Sequence, residues 1–206
     1  MIDAKSKLPE SIKTPRMILR RWVKADRDAF AKMNQDPDVM EFFPGLLTRE
    51  ESDAMVDRVE KHFDDHGFGF WAVELPGIVP FAGLIGLGHP RYETHFTPCV
   101  EIGWRMAKPY WGFGYATEGA FASLHFAFES LRLPEVVSMT AVSNMKSRNV
   151  MEKIGMITNP QEDFDHPLVP MDSPVCRHVL YRIHNPAMRD GLRLKKGSGL
   201  FFSISG

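Results

Sequence analysis

Glu101 is the only carboxylate in the run CVEIGWRM (residues 99–106), whose alternation puts Val100, Ile102 and Trp104 on one side and Glu101, Gly103 and Arg105 on the other. A carboxylate in so apolar a strand is either a proton acceptor at a reacting centre or half of a salt bridge, with Arg105 a ready partner. Directly after it, KPYWGFGYATEG (residues 108–119) places Gly112 and Gly114 where a strand hands over to a helix. Glycine allows positive φ and close backbone approach, and the first amides of a helix have no partner inside it. Together with the helix dipole they make a seat for a diphosphate; a sharp turn into a buried helix is the plainer alternative. Some thirty residues on, Asn144 opens NMKSRNVMEKIGM with Ser147 one turn further, either as a simple helix cap or as a polar contact for a ligand.

Other chemistries fail on spacing. A dinucleotide fingerprint needs a third glycine three residues after Gly114, where Thr117 stands, and no Lys-Ser/Thr follows to make a nucleoside triphosphate loop. No G-x-S-x-G elbow anchors a hydrolase triad. His62 and His66 have the i, i+4 spacing of two zinc ligands, but Phe63 occupies the place of a metalloprotease glutamate, so no metal is expected. Cys99 and Cys176 share no ligand spacing and read as reduced packing residues.

The elements that must hold these residues are legible in outline. RMILRRW suits a first strand, and residues 24–35 a helix with Ala25, Phe30, Ala31 and Met33 on one face, halted by Pro37. Thr48 and Glu51 form a capping box for a second helix that carries Met55, Val56, Val59 and Phe63 inward and stops at Gly67. FGFWAVEL, FAGLIGLG and CVEIGWRM are strands, the first two joined by PGIVP. The helix from about Gly114 to Leu131 is apolar nearly all round and belongs in the middle of a layered α/β arrangement. EVVSMTAV is a strand, Gly155 ends the helix that Asn144 begins, and VCRHVLYRI closes the sheet.

The chain has 206 residues, 44% hydrophobic and 25% charged, with a formal net charge of -1. Those values fit one folded domain over residues 1–186, with residues 187–206 a basic, Gly/Ser-punctuated tail that is either disordered or docks as a strand. No basic face marks a nucleic-acid binder, the longest apolar stretch is too short to span a bilayer, and the first residues carry no secretory pattern; cytoplasm is the default.

EIGWRMAKPYWGFGYATEG followed by NMKSRNVMEKIGM resembles the two signature stretches of the GNAT N-acetyltransferases, in particular their RimJ/RimL-like branch. The resemblance follows the element order from Thr14 to Ile183 and is specific within residues 98–156. It implies an α/β (α+β) fold with a mixed, mostly antiparallel, twisted central sheet split into a V and flanked by helices. It further implies acetyl-CoA as co-substrate, with a small-molecule or peptide amine as acceptor; a homodimer is left open. Ile102, Trp104 and Met106 of the strand, Trp111, Gly112, Phe113, Gly114, Tyr115 and Ala116 of the loop and helix start, and Asn144 and Ser147 would contact acetyl-CoA. Glu101 would be the base and Ser147 the acid.

A bulge at Gly103 that frees an amide, or Met106 or its neighbour, would meet the developing oxyanion. The chain departs from the family in two places. Pro109 stands where a Gln or Arg donor is usual, and Met151 where a Tyr acid is usual. Both favour the alternative of a non-catalytic acyl-CoA-binding or regulatory module. Acceptor contacts are expected from EFFPGLL, HPRYETHF and EDFDHPLVPMDSP, with Phe42, Phe43, Tyr92 and Phe96 as an apolar wall and Asp163 and Asp165 holding a cationic amine.

Overall fold

The computed structural model describes residues 9–189 and 203–205. Its strands are β1 (Ser11–Lys13), β2 (Ile18–Arg20), β3 (Phe70–Leu75), β4 (Val79–Gly88), β5 (Glu101–Met106), β6 (Glu135–Ala141), β7 (Ile157–Thr158), β8 (Phe164–Asp165), β9 (Arg177–His184) and β10 (Ser203–Ser205). The helices are α1 (Asp26–Asn34), α2 (Arg49–His66), α3 (Tyr115–Glu129), α4 (Met145–Lys153) and α5 (Pro186–Arg189). The strands form one sheet in the order β10-β1-β2-β3-β4-β5-β6-β9-β7, with β8 also on β9. Every pairing is antiparallel except β5 with β6.

That parallel pair is the architectural event. β5 and β6 are joined by a single residue pair, Glu101 with Val137, and then part. The junction is held by the Val137 amide donating to the Val100 carbonyl (3.0 Å) and by Ser138 Oγ donating to the Ile102 carbonyl (2.9 Å). The sheet is therefore open, mixed and split into a V, as the resemblance implies.

α2 begins at the expected capping box, Thr48 Oγ1 accepting from the Glu51 amide (3.1 Å) and Glu51 Oε2 from the Thr48 amide (2.8 Å), and ends at left-handed Gly67. Its buried Val56, Val59 and Phe63 each contribute about 1.5–3 kcal/mol of apolar burial. α3 is buried along most of its length, and Phe126 meets Trp71 of β3 edge to face at 5.3 Å. Trp71, Phe126, Leu19 and Ile85 lie at the centre of the core.

The short elements depart from the sequence reading. β1, β7 and β8, two or three residues each, carry no periodic pattern to be read. RMILRRW supplies only three strand residues, and Trp22 turns inward beyond them to donate from Nε1 to the Phe70 carbonyl (2.7 Å). Within the expected tail, β10 pairs with β1, while residues 190–202 and 206 lie outside the described residues. Among the described residues no helix is long and apolar enough to cross a membrane.

Candidate functional site

A cavity of about 900 Å³ opens where β5 and β6 part. β5 forms one wall. Ile102 and Met106 turn their backbone groups toward the opening, since the Ile102 carbonyl meets Ser138 and the Met106 carbonyl accepts from Trp111 Nε1 (2.7 Å). The next odd-numbered group, the Ala107 amide, instead bonds the Ala82 carbonyl of β4. The amides of Trp104 and Met106 therefore face the cleft.

Glu101 lines the cavity at the vertex of the V. Its carboxyl has no hydrogen bond or ion pair among the described residues, and burial alone pushes its pKa up from 4.5 to about 7. Arg105 is not its partner. Its Nη1 donates to Asn34 Oδ1 (2.6 Å), its guanidinium sits 3.9 Å over the Phe43 ring, and its Nε is buried without a partner. Burial lowers the Arg105 pKa to about 10. Gly103 lies in the unbroken β4–β5 register, so the expected bulge is absent; a Cβ there would stand 3.2 Å from the Phe70 ring, and glycine makes room for that aromatic.

At the other end of β5, a 3-10 turn (Lys108–Tyr110) leads to the glycine loop. Gly112 and Gly114 both have φ of +81°, the region closed to most side chains. Gly114 occupies the N-cap position of α3 with no side-chain cap, leaving the first amides of the helix open to the cavity. Arg16 stands beside them, donating from Nη1 to the Phe113 carbonyl (2.9 Å), pairing through Nε with Glu118 Oε2 (2.6 Å) and lying over the Tyr115 ring. It brings a cation to the loop that lacks a side-chain donor at Pro109. Lys146, 4.6 Å over the Trp111 ring, brings a second.

The facing wall comes from β6 and α4. Asn144 Oδ1 accepts from the Ser147 amide (3.1 Å) and its Nδ2 donates to Thr140 Oγ1 (2.9 Å), so it caps α4 and ties it to β6. Ser147 lines the cavity; Met151, one turn on, is fully buried. All the expected acetyl-CoA contacts line this one cavity except Phe113, whose side chain is 61% exposed outside it.

The sequence profile described as the acetyltransferase (GNAT) domain matches residues 16–157. The chain belongs to the GNAT acetyltransferase family. It is 31% identical over 156 residues to the YkkB protein of Bacillus subtilis, spanning 75% of this chain and 87% of that one. It is 32% identical over 137 residues to the FsC-acetyl coenzyme A-N(2)-transacetylase of Aspergillus fumigatus, covering 63% of this chain and 57% of that enzyme. The solved acetyltransferase (GNAT family) of Bacillus anthracis superposes with a TM-score of 0.68 at 27% identity, over 85% of this chain and 98% of that one.

The three segments expected to meet an acceptor do converge on the cavity of this acetyltransferase, through Phe42, Phe43, Tyr92, His166 and Leu168. Phe96 instead packs with Val137, Phe164 and Leu180 in a small separate core. Asp163 and Asp165 are not in the lining, and Asp165 pairs with Arg177, so the expected acidic clamp is absent from this wall.

His178 of β9 was not legible as a site residue. A lone titratable group in a strand gives no signal until the fold stacks it 4.8 Å from His166, which itself packs 4.4 Å from Tyr92. Burial, then the neighbouring His178, lowers the His166 pKa to about 4, and burial also lowers that of His178. Burial and then the Glu101 charge push the Tyr92 hydroxyl up.

Proposed function

We propose that the protein transfers the acetyl group of acetyl-CoA to a primary amine, a protein N-terminus or a small molecule, by direct attack in a ternary complex, and that it stands with the RimJ/RimL-like branch. The observation carrying this reading is the single cleft that joins the uncapped start of α3 to an unpartnered Glu101. The open amides from Gly112 to Thr117, with Arg16 beside them, fit a diphosphate, and the parted edges of β5 and β6 fit an extended arm between it and Glu101.

Acetyl-CoA supplies the activated acyl group as a thioester. Ionised Glu101 takes a proton from the acceptor ammonium, directly or through a water, so that a neutral nitrogen meets the thioester carbon; the C–N bond forms as C–S breaks. A carboxyl with a pKa of about 7 is ionised in about half the molecules at neutral pH and still accepts a proton there. The amides of Trp104 and Met106 donate to the acyl oxygen as charge develops. Ser147 Oγ or water passes a proton to the departing thiolate, whose modest basicity makes strong acid help unnecessary, in keeping with Met151 in the place of a tyrosine. The net change releases one proton for each ammonium acetylated.

The second reading, a non-catalytic acyl-CoA-binding or regulatory module, is favoured by Pro109 and Met151. Thermal stabilisation by acetyl-CoA and thiol release across an amine panel test both: turnover supports transfer, binding without turnover on any amine supports the module, and no binding at millimolar acetyl-CoA removes both.

A further inference from the structure

Away from the cleft, the end of α2 and the end of β4 bring three imidazoles together. His62 and His66 sit one turn apart with ring centroids 4.4 Å from each other, and His89, just past β4, lies 5.1 Å and 4.7 Å from them. One ring nitrogen of each lies within 4.8 Å of the others, and none of the three lines the cavity.

The orientation is selective. His62 Nδ1 is 2.7 Å from the Phe68 carbonyl, an acceptor only, so Nδ1 carries the proton and Nε2 presents its lone pair. That lone pair points at His89 Nδ1, 2.9 Å away. A backbone carbonyl fixing the far nitrogen of a ligating histidine is the usual outer support of a metal site. The adjoining carboxylate, Asp65, is engaged by Lys61 (2.7 Å) and leaves the cluster purely imidazole. Phe68 packs against all three rings and walls one side.

We propose that His62, His66 and His89 bind one divalent transition-metal ion, Zn²⁺ foremost, tying the last turn of α2 to the end of β4. Three neutral imidazoles with no thiolate or carboxylate favour zinc, nickel or copper over magnesium or calcium. Tetrahedral zinc with bonds of about 2.0–2.1 Å holds its nitrogens roughly 3.3 Å apart. His66 and His89 are exposed, and side-chain rotation that closes the widest separation, 4.8 Å, by about 1.5 Å brings the nitrogens to that spacing, leaving the fourth position to water. The sequence alone argues against a metal because Phe63 stands where a metalloprotease glutamate would; the fold adds His89, just past β4, as a third imidazole.

The test is calorimetric titration of ZnCl₂ into the full chain, freed of any affinity tag and stripped with EDTA, with CoCl₂ absorption as a second readout and MgCl₂ as control. We expect one equivalent of zinc, a tetrahedral cobalt spectrum, and a rise in Tm with zinc. His66→Ala and His89→Ala should each weaken zinc binding at least about tenfold, since loss of an outer-shell partner alone costs that much. Both side chains are exposed, so the variants should keep the metal-free Tm; should one not fold, the other reads the site. Absence of stoichiometric zinc binding, or affinity unchanged in a folded variant, overturns the proposal.

Discussion

Replacing Glu101 by Gln separates what this carboxyl costs the fold from what it does in the cleft. Burial raises its pKa from 4.5 to about 7. Below pH 4.5 the folded and unfolded chains both hold the proton, and Glu101 contributes nothing to the pH dependence. Between pH 4.5 and about 7 the unfolded chain has released a proton that the folded chain retains, so stability falls as pH rises. Above about pH 7 the deficit is complete, and a displacement from 4.5 to 7 corresponds to roughly 3 kcal/mol.

Gln has the same shape and no charge to bury. The variant should therefore match the wild type near pH 4.5 and exceed it by about 2–3 kcal/mol at pH 8. In urea unfolding followed by tryptophan fluorescence, that is a midpoint raised on the order of 1 M at pH 8 only. Acetyl transfer, read by thiol release, should fall about 10²–10⁴-fold while acetyl-CoA binding persists. A stability difference independent of pH would refute the burial reasoning, and a wild-type rate would refute the base.

Gly114→Ala forces a β-carbon into φ +81° and should cost about 1–2 kcal/mol and raise the KM for acetyl-CoA, both readable in one thermal-shift and kinetic series. Asn144→Ala removes the cap of α4 and the Thr140 bond, and should lower stability by about 1 kcal/mol in urea unfolding; a still larger rise in KM would show that the amide also serves the ligand. Asp26→Ala removes a buried carboxylate that accepts two bonds from Arg20 (2.8 and 3.0 Å), while half-buried Arg20 keeps Glu74 (2.7 Å); it should destabilise by about 1–3 kcal/mol at pH 7, without altering KM in molecules that remain folded. Phe126→Ala opens a hole against Trp71 and should cost about 3–5 kcal/mol, measured as a fall in Tm.

Elements that declare themselves locally were readable. α2 carries its own cap, stripe and left-handed stop; α3 is apolar nearly all round; α4 has Asn144 before it and Gly155 after it. The glycine loop was readable for the same reason, because positive φ leaves its mark on residue type. What escaped is what only tertiary approach creates. Gly103 signals a bulge or a neighbour's bulk with one letter, and Phe70 decides for the bulk. Asp163 and Asp165 sit in the expected segment, yet strand pairing of β8 on β9 brings Asp165 to Arg177, away from the cleft. The surroundings of His178 and Arg105 were set only once rings and strands from distant segments closed around them, His166 against His178 and Phe43 under Arg105.

The lone β5–β6 pair has a bearing on how far such a chain can drift. Beyond it, two backbone edges confront each other across the gap, and their amides and carbonyls stay in place whichever side chains the strands carry. An elongated guest bearing amides of its own can be gripped by that scaffolding much as another strand would be. Recognition written into the main chain is blind to most mutation, which suits a fold that is shared, with a TM-score of 0.68, by a protein of only 27% identity.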